Sequence, residues 1–106
     1  MTGKLDILLS ELRMGFGAHY GDRLNSLFLF GSQSRGDAAD ESDVDILVLL
    51  NGKVYALREI DDTLSFVTDV SLKYGTVVSC VFVSSEAYEN GSNELLAGVK
   101  SEGRRF

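Results

Sequence analysis

Two aspartates, Asp43 and Asp45, open the apolar run Asp43-Val44-Asp45-Ile46-Leu47-Val48-Leu49-Leu50. Side chains alternate faces along a strand, so both carboxylates project from one face, roughly 6.5 Å apart along it. Carboxylates at that spacing can hold a hard cation such as Mg²⁺, which takes oxygen ligands and shares them with phosphates. Upstream, the apolar run Leu27-Phe28-Leu29-Phe30 stops abruptly at Gly31-Ser32. A corner built on Gly has no Cβ to keep a phosphate from the backbone. Metal carboxylates and a phosphate-sized corner at the ends of two strands suggest nucleotide chemistry.

The halves stand at an informative separation. Gly31-Ser32, ten intervening residues, then Asp43-Val44-Asp45 resembles the signature of the DNA polymerase β-like nucleotidyltransferases. The fuller pattern, Gly31-Ser32-Gln33-Ser34-Arg35-Gly36-Asp37-Ala38 and Ser42-Asp43-Val44-Asp45, resembles the minimal (MNT-type) branch of that superfamily. Members of that branch are often encoded beside a HEPN-domain protein as toxin–antitoxin pairs. The resemblance implies an α/β (α+β) fold, a small mixed sheet flanked by helices. In the family's order of elements the helices would lie on one side of the sheet. The implied reaction transfers a nucleoside monophosphate from an NTP to a hydroxyl, the acceptor being in some cases a partner protein. Asp43 and Asp45 would be the metal ligands and catalytic carboxylates, with Mg²⁺ or Mn²⁺ as cofactor. Gly31 and Ser32 would hold the triphosphate, and Arg35 would offset its charge.

One part of the family's site has no counterpart. Active members usually take a third carboxylate from the next strand, which here reads Val77-Val78-Ser79-Cys80-Val81-Phe82-Val83 and holds no acid. Ser79 aligns with the missing residue, and a neutral hydroxyl is a poorer metal ligand and a poorer base. Asp69 and Glu86 flank the strand from outside. Two functional readings follow: an active nucleotidyltransferase, or a catalytically weakened nucleotide-binding, antitoxin-like module that acts through a partner. A third is a detached domain of a split transferase whose acceptor-binding half is another chain.

The acidic balance bears on partners. The 106 residues carry a formal net charge of −6, and five acids face the single Arg35 between Gly31 and Leu50. Such a segment repels bare triphosphate, which argues for bound cations. It argues equally against nucleic acid, whose backbone is held by lysines and arginines. The length fits a single domain, residues 1–106. The longest apolar run, Ile46 to Leu50, is far short of a membrane span. Met1-Thr2-Gly3-Lys4 lacks a signal-peptide core, and the lone Cys80 cannot form an internal disulfide. A cytoplasmic protein is expected, with an oligomer left open.

The remaining elements must position the corner and the aspartates. Leu5, Leu8, Leu9, Leu12 and Phe16 predict an amphipathic helix from Lys4 to His19, with His19 structural. Strands are expected at Ser26–Phe30, Asp43–Leu50 and Thr76–Ser84, with a short helical turn over Gln33–Ala39. Leu57, Ile60, Leu64, Val67 and Tyr74 predict the longest helix, Val54–Tyr74, closed by Gly75. Ser84-Ser85 should cap a short helix through Glu89, and Ser92 a last one ending near Gly103. Arg104-Arg105-Phe106 has no assigned element.

Overall fold

The computed structural model describes residues 3–31, 43–91 and 93–106. Helix α1 (Lys4–Tyr20) leads through one 3-10 turn into β1 (Leu24–Phe30). Then come β2 (Val44–Leu50), α2 (Ala56–Tyr74), β3 (Val78–Ser84), α3 (Ser85–Asn90), α4 (Glu94–Glu102) and β4 (Arg104–Arg105). The expected turn over Gln33–Ala39 and the expected cap at Ser92 lie outside the described residues.

The strands form one mixed sheet in the order β3-β2-β1-β4. β1 is antiparallel to β2 and to β4, while β2 and β3 are parallel, joined by α2 as a parallel pair requires. β2 is the central strand, and after Asp45 every residue of it is buried. Its unbroken Ile46-Leu47-Val48-Leu49-Leu50 run is what a strand covered on both faces needs.

Alternation splits those side chains between two cores. Val44, Ile46, Val48 and Leu50 join Leu27, Leu29 and the buried side of α1, namely Leu8, Leu9, Leu12 and Phe16. Leu47 and Leu49 face the other way, against Leu96 and Val99 of α4 and the ring of Tyr88 from α3. Helices therefore cover both faces, which corrects the one-sided arrangement expected above: α4 is needed because β2 is as apolar on its second face as on its first.

Local chemistry explains the boundaries. Gly15 sits inside α1 although helix-interior glycine costs about 1 kcal/mol. A Cβ there would lie 2.6 Å from the Phe66 ring, so the glycine lets α2 close against α1. Phe66 in turn meets Phe16 edge-on at 4.9 Å between ring centroids. Gly75 closes α2 in the left-handed conformation, φ 61°, as its placement predicted. Ser84 Oγ accepts from the Ala87 N–H to cap α3. The last helix is capped by Asn93, whose side chain accepts from the Leu96 N–H.

Two outcomes differ from the sequence expectation. Arg104-Arg105 forms a short edge strand on β1, with Phe28 opposite Arg105 and Leu29 opposite Arg104. Two residues carry no periodicity, so only the tertiary pairing makes them a strand. The second difference is the rotation of α2. Its buried residues are Glu59, Thr63 and Val70, whereas Leu57, Ile60 and Leu64 are exposed. Glu59 turns inward because it has partners there: the Tyr20 hydroxyl donates to it at 3.2 Å and Arg23 at 3.2 Å.

Candidate active site

The site is assembled where β1 ends and β2 begins. The antiparallel register sets Phe30 opposite Asp45, and the parallel register sets Ser79 beside Asp45 on its other flank. The Val44 N–H donates to the Val77 carbonyl at 2.8 Å, pinning the residue between the two aspartates to the start of β3. Asp43 is exposed just before the strand and Asp45 half-buried within it. Alternation puts both carboxylates on the face that carries Phe30 and Ser79.

Gly31 fits this corner for a steric reason. It adopts φ 76°, and a Cβ built on it would lie 2.6 Å from Asp45 Oδ2. The end of β1 thus runs directly over the Asp45 carboxylate, whose Oδ2 takes the space a side chain at position 31 would need. Burial, and then the neighbouring Asp43 charge, hold the Asp45 carboxyl above the usual aspartate range. Both causes disfavour the bare anion, and a bound cation would relieve both. An oxygen-only pair of donors at a corner where Gly31 itself adds no side chain suits a hard divalent ion.

Ser32 and Arg35, the other expected site residues, lie outside the described residues. Of the two flanking acids, neither joins the pair. Asp69 is an exposed residue of α2, which packs on the opposite face of the sheet. Glu86 is in the first turn of α3, beyond the C-terminal end of β3, whereas Ser79 lies at its N-terminal end. Among the described residues no group of three or more His, Cys, Asp or Glu side chains is placed to hold a metal. His19 packs edge-on against Tyr20 at 4.6 Å between ring centroids, in keeping with a structural role. Cys80 is enclosed enough that burial pushes its thiol up to about 12, which makes it inert as a nucleophile.

Arg105 went unassigned in the sequence, and pairing with Phe28 places it on the Asp45 face, at the β4 edge. No sequence signal could have put it there, since its placement depends on the β1–β4 register. A separate shallow cleft of about 540 Å³, lined by Lys53, Tyr55, Ser84 and Glu86 among others, lies at the far end of the strands from the aspartates.

Comparison with known proteins agrees with this architecture. The nucleotidyltransferase domain family matches residues 9–95, and the chain belongs to that family. A curated relative from Methanocaldococcus jannaschii, named "Putative protein adenylyltransferase MJ0604", is 36% identical over 97 residues, which are 91% of either chain. Among solved structures, a toxin–antitoxin crystal structure with AMP-PNP superposes with a TM-score of 0.65 at 20% identity, covering 91% of this chain and 69% of that one. A Shewanella oneidensis complex of a tri-AMPylated HEPN toxin with its MNT antitoxin gives a TM-score of 0.54 at 17% identity, covering 96% and 67%. At these identities the structural likeness concerns the fold, a minimal nucleotidyltransferase fold with a mixed sheet. No helix among the described residues is long and apolar enough to cross a membrane.

Proposed function

We propose that this chain is a divalent-metal-dependent adenylyltransferase that transfers AMP from ATP to a hydroxyl of a partner protein. The observation that carries the reading is the Asp43–Asp45 pair under the Gly31 corner, where a Cβ would lie 2.6 Å from Asp45 Oδ2. Asp43 and Asp45 would hold Mg²⁺ or Mn²⁺, the ion supplying charge neutralisation for the triphosphate and for the attacking oxygen. Gly31 lets the Asp45 carboxylate sit against the end of β1. Ser32 and Arg35 are assigned to the triphosphate from their places in the motif. In the transfer the acceptor oxygen bonds to the α-phosphorus, the bond to the leaving oxygen breaks, and pyrophosphate departs. The acceptor's proton leaves to solvent water, the exposed Ser79 hydroxyl beside Asp45 being no base.

The acceptor is proposed to be a HEPN-type protein. Support comes from the toxin–antitoxin structures of similar fold, one of which holds an AMPylated HEPN toxin. The relative named as a protein adenylyltransferase supports AMP as the transferred group. Ser79 favours a second reading, a nucleotide-binding antitoxin-like module with weakened chemistry. Incubation with labelled ATP, Mg²⁺ and a HEPN-type protein encoded nearby decides between them. Label on the partner supports the transferase; tight Mg²⁺-ATP binding without label supports the module.

A further inference from the structure

α2 has an apolar side that its own fold leaves uncovered. Leu57, Ile60 and Leu64 are 84%, 43% and 54% exposed, and their spacing lines them along one side of the helix. Beside them, Val67, Val78, Cys80 and Phe82 wall a groove between α2 and β3. β3 is itself the edge of the sheet, bonded to β2 alone among the described strands. Its sequence, Val78-Ser79-Cys80-Val81-Phe82-Val83-Ser84, has no charge and no proline. Monomeric proteins ordinarily guard such an edge with lysine, proline or a bulge. Here seven residues are in regular register with β2 and carry none of these.

We propose that this face is where two copies of the chain associate, β3 pairing antiparallel with β3 about a twofold axis while the apolar sides of α2 close over the junction. Charge is the first argument for a second copy. The chain carries net charge −6, yet these seven strand residues and the α2 stripe are neutral, with Asp61 at the rim. Two copies can meet here without the repulsion that opposes contact between their acidic surfaces.

Self-complementarity is the second. An antiparallel pair centred on Val81 sets Val78 against Ser84, Ser79 against Val83 and Cys80 against Phe82, all of them neutral or apolar cross-strand pairs. A twofold interface requires one patch to match itself in this way. Area is the third. The exposed parts of Leu57, Ile60 and Leu64 amount to roughly 350 Å² per copy, nearly half of the ~800 Å² each partner contributes to a standard interface. The β3 edge and the groove beside it supply further surface. The proposal does not depend on the transfer reaction, although Ser79 belongs both to the paired edge and to the flank of Asp45.

Sedimentation velocity across the micromolar range, on wild type and Leu64→Glu, tests it. Leu64 is exposed, so the variant should keep its circular dichroism spectrum and, at concentrations too low for dimers, its melting temperature. The wild type is expected to dimerise reversibly, and the variant's dimer dissociation constant to rise at least tenfold, about 1.4 kcal/mol. As a second readout, amide hydrogen exchange along Val78–Ser84 in the wild type should slow as concentration drives dimerisation. A wild type that stays monomeric throughout overturns the proposal. So does a dimer that ignores Leu64→Glu and leaves exchange along β3 unslowed. A monomeric wild type that loses a HEPN-type partner on Leu64→Glu would give the face to that protein instead, and likewise overturns it.

Discussion

Ser79 stands directly beside Asp45 across the parallel β2–β3 ladder. Neighbours in a ladder share a face, so whatever occupies position 79 can reach the same ion or phosphate as Asp45. Here the occupant is a hydroxyl, where the resemblance implies a carboxylate.

Ser79→Asp should therefore complete the acid set. Position 79 is exposed, so the substitution should fold. AMP transfer to a partner, measured with labelled ATP, should rise, each tenfold gain corresponding to about 1.4 kcal/mol of transition-state stabilisation. Added beside two existing carboxylates, the new charge should also lower the melting temperature in chelator, and Mg²⁺ should restore it. A robust wild-type rate that falls in Ser79→Asp would mean that the native site is complete without an acid there.

Gly31→Ala tests the corner from the other strand. The new Cβ would meet Asp45 Oδ2 at 2.6 Å, in a backbone conformation, φ 76°, that L side chains rarely adopt. Strain of roughly 1–2 kcal/mol is expected at such a position. Denaturant unfolding should show that loss, and Mg²⁺-dependent ATP affinity should fall at least tenfold as Asp45 is displaced. Unchanged affinity would detach Gly31 from the site.

The site's two halves were legible in the sequence because both are local. Alternation fixes the relation of Asp43 to Asp45, and a strand that stops at glycine marks the corner. Ser79 was singled out only through the resemblance, which aligns it with the family's third carboxylate; the register that sets it beside Asp45 is a tertiary pairing. The orientation of α2 was not legible. Leu57, Ile60 and Leu64 repeat at helical spacing as a buried stripe would, but the helix is turned by a polar cluster drawn from distant parts of the chain. Tyr20, Arg23 and Glu59 are brought together by tertiary structure, and no local pattern announces them. β4 escaped for the same reason, being a strand only through β1.

That polar cluster makes its own prediction. Burial pushes the Glu59 carboxyl up, but hydrogen bonds from Arg23 and the Tyr55 N–H outweigh it and hold the group below its ordinary value of 4.5. A carboxyl depressed in the fold stabilises above its unfolded value and loses that contribution as pH falls through the folded one. Glu59→Ala leaves the Tyr20 hydroxyl and the Tyr55 N–H without this acceptor and should cost about 2–3 kcal/mol at neutral pH. Melting curves of wild type and variant should converge as the pH drops below about 4.5. A gap that persists unchanged into acid would contradict the assigned ionisation.

The central claim, that Asp43 and Asp45 hold the divalent ion through which a nucleoside triphosphate is bound, is tested most directly by calorimetric titration with ATP. The titration is run in Mg²⁺ and in chelator, on wild type, Asp43→Asn and Asp45→Asn. Binding is expected in Mg²⁺ for the wild type alone. Both variants should melt no lower than wild type in chelator, because each removes one of two neighbouring like charges. Equal ATP affinity with and without metal, or Mg²⁺-dependent binding that survives in both variants, would contradict it.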